Sequence, residues 1–286
     1  MPQPPFVFQE ELDGGTKAKI LVNDARRNRW EVKWGKEAKP EIFAIRMMWA
    51  TGYIVEPSYL VPSGTIDSVG ALKRAAPYID RSNDNAFRDA RFELRNSRAF
   101  PLATANWTWK DNPFGGTNEL AGLRLMAMLL SNWDTKDASS SDGPNTAILR
   151  VELPDGREEM HYLVNDWGAT MGRWGPFGIR GRWDCEGYAS NTAKFVSGLD
   201  ENGMVRLGYK GKHTSTIAEE ITVGNVRWLM NYLGRISDDQ IRAGLGASGA
   251  TGDEVACFTS AVRSRIEQLR SLSETRPEQI SSVAVQ

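Results

Sequence analysis

The sequence predicts an α+β chain of two lobes, β-rich up to about residue 111 and mainly helical over 112–286. Short strand-like runs separated by turns fill the first third. The breaker Asn112-Pro113-Phe114-Gly115-Gly116-Thr117 then interrupts the chain. Beyond it, apolar residues recur at helical spacing.

Taken in order, Phe6-Val7-Phe8, Ile20-Leu21-Val22 and Arg29 to Trp34 read as three strands of an antiparallel meander. Pro40 suits the first position of a helix running Glu41 to Thr51, with Ile42, Ile45, Met48 and Trp49 on one stripe and Gly52 as its stop. Glu56 to Pro62 reads as the next strand. Residues 63 to 90 are polar with weak periodicity and read as an insertion or loop. Phe92-Glu93-Leu94 starts another strand, and Trp107-Thr108-Trp109 an exposed-looking aromatic one, although core packing of these tryptophans is the simpler expectation. Asn118 to Leu130 is helical. Asn145 to Glu152 and Glu159 to Val164 form a hairpin through Pro154-Asp155-Gly156. The Gly-rich run Ala169 to Gly181 reads as a movable loop. Helices are expected over Thr222 to Leu233, Ser237 to Gly244 and Asp253 to Leu272, with Ser237 as a cap.

Composition narrows the function classes. Lys and Arg total 35 against 36 Asp and Glu, which removes the electrostatic signature of a nucleic-acid binder. Cys185 and Cys257 are too few for a disulfide scaffold or a Cys-based zinc site and leave room for one bridge. With His161 and His213 as the only histidines, His-rich metal sites and most His-dependent triads are not expected. There is no apolar run long enough to span a membrane. The Pro-rich start Met1-Pro2-Gln3-Pro4-Pro5 does not read as a signal peptide. Compartment stays open, with the cytoplasm as default and a trimmed exported protein as the alternative.

Two acidic stretches organise the rest. Leu129-Leu130-Ser131-Asn132-Trp133-Asp134-Thr135-Lys136-Asp137 ends an apolar helix, and Leu163-Val164-Asn165-Asp166-Trp167-Gly168 ends an apolar strand. A phosphoryl-transfer site needs one carboxylate to orient the attacking hydroxyl and another to hold Mg²⁺ on the nucleotide phosphates. Asp134 and Asp166 suit these roles, and turn-forming aspartates are the structural alternative. The antiparallel hairpin brings Asn145 to the same end as Asp166, a geometric reason for an Asn beside a metal-binding Asp. Gly14-Gly15-Thr16-Lys17 is a turn whose backbone can approach a phosphate, or an ordinary hairpin turn. Lys33 alternates with Val32 and Trp34 on its strand, and Glu41 follows in the first turn of a helix. That arrangement fixes a lysine on nucleotide phosphates; a surface lysine and a helix-dipole glutamate would share the same pattern.

With these pieces in order, the chain resembles the protein-kinase-like superfamily, in its atypical HipA-type and phosphatidylinositol-kinase-like branch, and also a set of uncharacterised bacterial proteins. Gly14 to Lys19 looks like the nucleotide loop, and Lys33 and Glu41 like the ATP lysine and its partner. Asn132 to Lys136 resembles the catalytic loop, and Asp166-Trp167-Gly168 the metal-binding Asp-Phe-Gly. The resemblance implies a two-lobed protein-kinase-like fold: a nucleotide-binding lobe over 1–111 and a catalytic, helical lobe over 112–286. It implies ATP and Mg²⁺ (or Mn²⁺) as cofactors and phosphoryl transfer to a hydroxyl, foremost of a protein Ser or Thr. Two departures stand out. The position five residues after Asp134 is Ser139 rather than Asn, so the second metal ligand is either Ser139 or Asn145. Lys136 stands where HipA-type enzymes carry a histidine, and would neutralise charge on the γ-phosphate. A regulatory pseudokinase, a nucleotidyl transferase and a non-catalytic protein- or glycan-binding domain with a Trp-rich surface remain as alternatives.

Overall fold

A computed structural model describes residues 1–14, 17–95, 101, 103–135, 145–176, 179–191, 193–212 and 214–275. The amino-terminal third is built from β1 (Phe6–Glu11), β2 (Lys19–Asn23), β3 (Arg29–Lys33), β4 (Ser58–Asp67), β5 (Ile79–Asp80) and β6 (Ala86–Arg95). Strands β1, β2 and β3 form the expected meander. Strand β3 then pairs antiparallel with β6, β6 with β4, and β4 runs parallel to β1, closing a five-strand ring to which β5 adds at β6. Closure removes the exposed edges that an open sheet must protect. Inside the ring pack Phe6, Ile20, Val22, Trp30, Val32, Ile66 and Phe92. The 63–90 stretch is therefore no insertion: it completes β4, carries β5 and begins β6. Its apolar positions are sparse because half of each strand faces outward, which hides the period in a polar composition.

The ring's outward face is charged. Register places Lys19, Lys33, Arg91 and Leu60 in one cross-strand row and Leu21, Glu31, Glu93 and Ser58 in the next. Helix α1 (Ala38–Ala50) packs against β4 and β6. It begins two residues before Pro40, without a side-chain cap, and ends before Gly52, whose φ is +89°. Its Phe43, Ala44, Ile45, Met47 and Met48 join the core of the helical part. Trp49, expected on the buried stripe, is instead 73 % exposed.

The rest comprises β7 (Ala103–Ala105), α2 (Asn118–Leu129), β8 (Thr146–Glu152), β9 (Glu158–Val164), α3 (Cys185–Asn191), β10 (Val196–Leu199), β11 (Val205–Leu207), α4 (Thr214–Ala218), α5 (Val223–Leu233), α6 (Asp238–Ala247) and α7 (Gly252–Ser273). Strands β7, β8 and β9 form one antiparallel sheet, and β10 and β11 a hairpin. Thr222, Ser237 and Thr251 each cap a helix, the side chain accepting from the amide three positions on while the cap's own backbone N–H donates to that residue's side chain, which satisfies end N–H groups that helix geometry leaves free. Trp107 and Trp109 are buried against α2 rather than exposed on a strand, and the Trp107 indole donates to the Leu163 carbonyl at 2.9 Å. Trp133 is buried as well. These three tryptophans thus offer no aromatic binding surface.

A disulfide joins Cys185 of α3 to Cys257 of α7, with Cα atoms 6.2 Å apart. Arg265 of α7, 2 % exposed, does more for the site. Its guanidinium donates to the Leu129 carbonyl, the Ser131 hydroxyl and the Tyr188 carbonyl at 2.6 to 2.8 Å, and lies 3.5 Å from the Tyr188 ring centroid. Burial lowers its pKa to about 10, so it stays charged at neutral pH. Arg265→Leu is expected to withdraw buried donors from the Leu129 carbonyl, which keeps the Tyr188 hydroxyl, and from Ser131 and Tyr188, and to destabilise the protein by about 3 kcal/mol or more, read as a lower urea midpoint. Arg265→Lys should restore little, since one ammonium cannot span the same three acceptors.

Candidate active site

The two acidic stretches meet. Helix α2 ends at Leu129, and the chain turns through Ser131 at φ +52° into Asn132. The Asn132 side chain works in two directions. Its oxygen accepts from the Asp134 amide at 3.2 Å, and its nitrogen donates to the Asp166 carbonyl at 3.3 Å. From the hairpin side, the Asn145 side-chain amide donates to the Asp134 carbonyl at 2.9 Å, while the Asn145 carbonyl accepts from the Asn165 amide at 3.2 Å. Backbone bonds from Trp133 to Ala169 and from Met171 to Leu130 complete the stitching. Asp134, Asn145 and Asp166 therefore stand together.

Asp134 has a partner that sequence reasoning missed. Lys212, on the loop after β11, reaches its Oδ1 at 2.7 Å. The Lys212 amide donates to the Trp133 carbonyl at 2.9 Å, and the Thr135 hydroxyl donates to the Lys212 carbonyl at 2.9 Å. The Tyr209 hydroxyl donates to the Asn132 carbonyl. No local pattern marks Lys212, because the contact spans 78 residues.

Asp166 lies deep. Burial pushes its carboxyl up, and the Glu37 charge adds to this, while the Gly168 amide at 3.0 Å, Lys33 and Arg91 pull the other way. Glu37, at the start of α1, pairs with Arg182 at 3.2 Å and Lys17 at 3.6 Å. A Cβ at Gly168 would come within 2.9 Å of the Glu37 Cβ, so glycine there lets α1 approach. The Thr170 hydroxyl, 3.2 Å from the Pro40 carbonyl, ties the same segment to α1. The chain after Asp166-Trp167-Gly168 folds back on itself. The Gly181 amide donates to the Arg173 carbonyl at 2.8 Å, and the Gly175 amide donates to the Ile179 carbonyl at 2.9 Å. Arg180 and Arg182 lie over the Trp133 ring at 5.8 and 4.8 Å, and Arg180 over Trp174 at 5.0 Å.

The expected Lys33–Glu41 pair is not formed. Lys33 Nζ sits 3.0 Å from Glu31, and the Glu41 carboxylate is taken by Arg91 of β6. Arg91 also reaches Glu93 at 2.6 Å and Glu31 at 4.0 Å, and Arg95 bridges Glu93, Glu56 and Glu31. A guanidinium presents five donors in a planar fork and can serve several carboxylates at once. The signal was present: Arg91, Glu93 and Arg95 alternate with Phe92 and Leu94 just as Lys33 does with its neighbours. Lys33 still contributes to the field at Asp166 and Glu41. Gly14 lies on the loop that leads to Lys17, whereas Gly15, Thr16, Lys136 and Ser139 lie outside the described residues.

Among the described residues no group of three or more His, Cys, Asp or Glu side chains is placed to hold a metal. Asp166 and Asn145 together still present the hard oxygen donors that Mg²⁺ prefers. One Asp166 oxygen is used by Gly168, and the Asn145 amide is oriented by its nitrogen, so its oxygen carries no hydrogen bond among the described residues.

No protein-family model matches this sequence, and no curated protein matches it. Among solved structures it is similar to that of a Helicobacter pylori proinflammatory kinase, CtkA, at 12 % identity and a TM-score of 0.51, covering 92 % of this chain and 95 % of that one. The fold is protein-kinase-like. Two structures of the Rio2 kinase from Chaetomium thermophilum also match. One is an ADP/Mg²⁺-phosphoaspartate complex (12 % identity, TM-score 0.33, 92 % of this chain and 72 % of that one). The other has 10 % identity and a TM-score of 0.30, over 91 % and 74 %.

The charged face titrates unusually. Burial pushes the Glu41 carboxyl up to about 8, outweighing Arg91 and Lys33. Burial, with Glu93 beside it, pushes Glu56 up to about 7. Burial acts on Glu31 too, but Lys33, Arg95, Lys19 and Arg91 outweigh it and bring Glu31 down to about 2. A carboxyl raised in the folded state from the ordinary 4.5 favours folding fully below pH 4.5, and that contribution is lost as pH rises through the folded value. Glu31 stays ionised in both states over this window. Stability is therefore expected to fall between pH 5 and pH 8, and Glu41→Gln to flatten the fall, as followed by melting midpoints across pH. A flat profile in the wild type would count against the buried carboxyls.

Proposed function

We propose that the chain is an ATP- and Mg²⁺-dependent phosphotransferase acting on a hydroxyl, foremost of a protein Ser or Thr, nearest in its motifs to the HipA-type kinases. The carrying observation is the junction of Asp134 and Asp166 through Asn132 and Asn145, within a kinase-like fold. The nucleotide-binding and catalytic lobes are proposed to meet between residues 95 and 103, somewhat before 111, because Trp107 and Trp109 already belong to the helical core.

Asp134 orients the acceptor hydroxyl and takes its proton. Lys212 holds the Asp134 carboxylate in one position and places a cation next to it, while Lys136 is assigned to neutralising charge on the γ-phosphate. Lys33 and the Gly14–Lys17 loop, with Gly15 and Thr16, bind the phosphates, while Arg91 holds Glu41 and so fixes α1. Asp166, with Asn145 or Ser139, would hold Mg²⁺, which supplies charge neutralisation on the phosphates.

The ion pairs on the ring's charged face favour a second reading. Glu31, Glu56, Glu93, Arg91 and Arg95 pair with one another on the surface that would cover the nucleotide. A regulatory pseudokinase would bind nucleotide there without turnover.

Melting curves with and without Mg²⁺ and ATP, combined with phosphate transfer to a generic protein acceptor, separate the readings. Ligand at a hundred times its dissociation constant stabilises by roughly 2.7 kcal/mol, a visible shift. The shift is expected in the wild type and lost in Asp166→Ala. Asp134→Ala should keep the shift and lose transfer by about a hundredfold or more, the contribution of a positioned general base. Transfer at the wild-type rate in Asp134→Ala would sink the mechanism. A shift with no transfer by the wild type would select the pseudokinase.

A further inference from the structure

A cavity of about 620 Å³ lies where the β3–α1 turn, the first turn of α1, the start of β6 and the segment after Asp166 converge. Neither Asp134 nor Asp166 lines it; it adjoins the site above through Arg182, which also pairs with Glu37 and lies over Trp133. Its charge is one-sided: Lys36, Lys39, Arg88 and Arg182 line it, against the single carboxylate of Asp89. Lys36 and Arg88 are exposed and carry no ion pair or side-chain hydrogen bond among the described residues. Lys39 and Arg182 have loose partners, Glu254 at 3.4 Å and Glu37 at 3.2 Å, all of them partly solvated.

Two further features define what fits. The cavity opens at the amino-terminal end of the 13-residue α1, which no side chain caps, so the positive end of the helix dipole adds to the four cations. One wall is aromatic. Tyr78 stacks on Trp34 with centroids 5.5 Å apart and 12° between planes, and Tyr78 is 41 % exposed; Leu60 also lines the cavity. The volume is that of a small-molecule pocket rather than of a bare ion site.

We propose that this cavity is a second ligand site that binds a phosphate monoester with a flat organic body. The phosphate sits among Lys36, Lys39, Arg88 and Arg182, and the body lies along Tyr78. The segment that carries Arg182 does not furnish this phosphate. From Ala169 to Asp184 its only hydroxyl residue is Thr170, which is fully buried and bonded to the Pro40 and Trp167 carbonyls. The oxyanion comes from another molecule, either as a phosphotyrosine side chain or as a free aryl phosphate.

Titration calorimetry with phenyl phosphate, phenol, inorganic phosphate and a phosphotyrosine peptide tests this on the intact protein. Phenyl phosphate is expected to bind, to bind tighter than inorganic phosphate, and to weaken with added salt; phenol should not bind. The double variant Lys36→Glu/Arg88→Glu should lose at least tenfold in affinity, with an unchanged melting midpoint without ligand because both side chains are exposed. Asp166→Ala should bind like wild type. Tighter binding of the peptide than of phenyl phosphate assigns a protein-borne source, and equal binding a free one. No binding of phenyl phosphate at millimolar concentration, undiminished binding in the double variant, or loss of binding in Asp166→Ala would each overturn the proposal, the last by moving the ligand to the nucleotide cleft.

Discussion

The contact between Arg91 and Glu41 is the constraint on which the rest of the structure depends. Arg91 sits on the charged face of the strand ring, and Glu41 on a helix whose other face is packed into the helical core. The pair thus joins two parts of the molecule with different apolar interiors. Both side chains are buried, Arg91 completely. Glu31 and Glu93 share the same arginine, so the strand register and the helix position are set together. Once α1 is placed, Glu37 is placed, and with it Gly168, Lys17 and Arg182.

The two parts handle polarity differently. The ring keeps its apolar side chains inside and puts its ions outward, where α1 then covers them. In the helical part several buried polar groups hold the segment that follows α2. Arg265 and the Tyr188 and Tyr209 hydroxyls all bond backbone carbonyls at the end of α2 and just beyond it. Carbonyls at a helix end have no partner within the helix, so side chains from distant elements can satisfy them and fix the loop as they do so. Asp134 is held by backbone rather than by its own side chain. That leaves its carboxylate to Lys212 and, on the proposed reading, to an acceptor.

Much of the fold was legible in local pattern. The three-strand meander, the α2 helix, the hairpin of β8 and β9 and the three carboxy-terminal helices follow from period and capping residues. The proximity of Asn145 and Asp166 was legible too, because an antiparallel hairpin leaves no other arrangement for its open ends. Where the reading failed, two structures shared one pattern. Residues 63 to 90 looked like a loop because strands on a ring with a solvated face carry few apolar residues. Trp107 and Trp109 alternated like a strand but sit in an irregular segment packed on α2.

The sequence by itself determined the order of the elements, the ends of the helices and the placement of Asp134 and Asp166 at the ends of regular structure. These depend on residues a few positions apart. Only the tertiary structure decided that Glu41 answers Arg91 rather than Lys33, that Lys212 stands on Asp134, and that Cys185 meets Cys257. Those partners lie 78 residues apart for Lys212 and 72 for the cysteines. Over such spans, which charges meet is set by strand closure and helix packing, and neither leaves a period in the sequence.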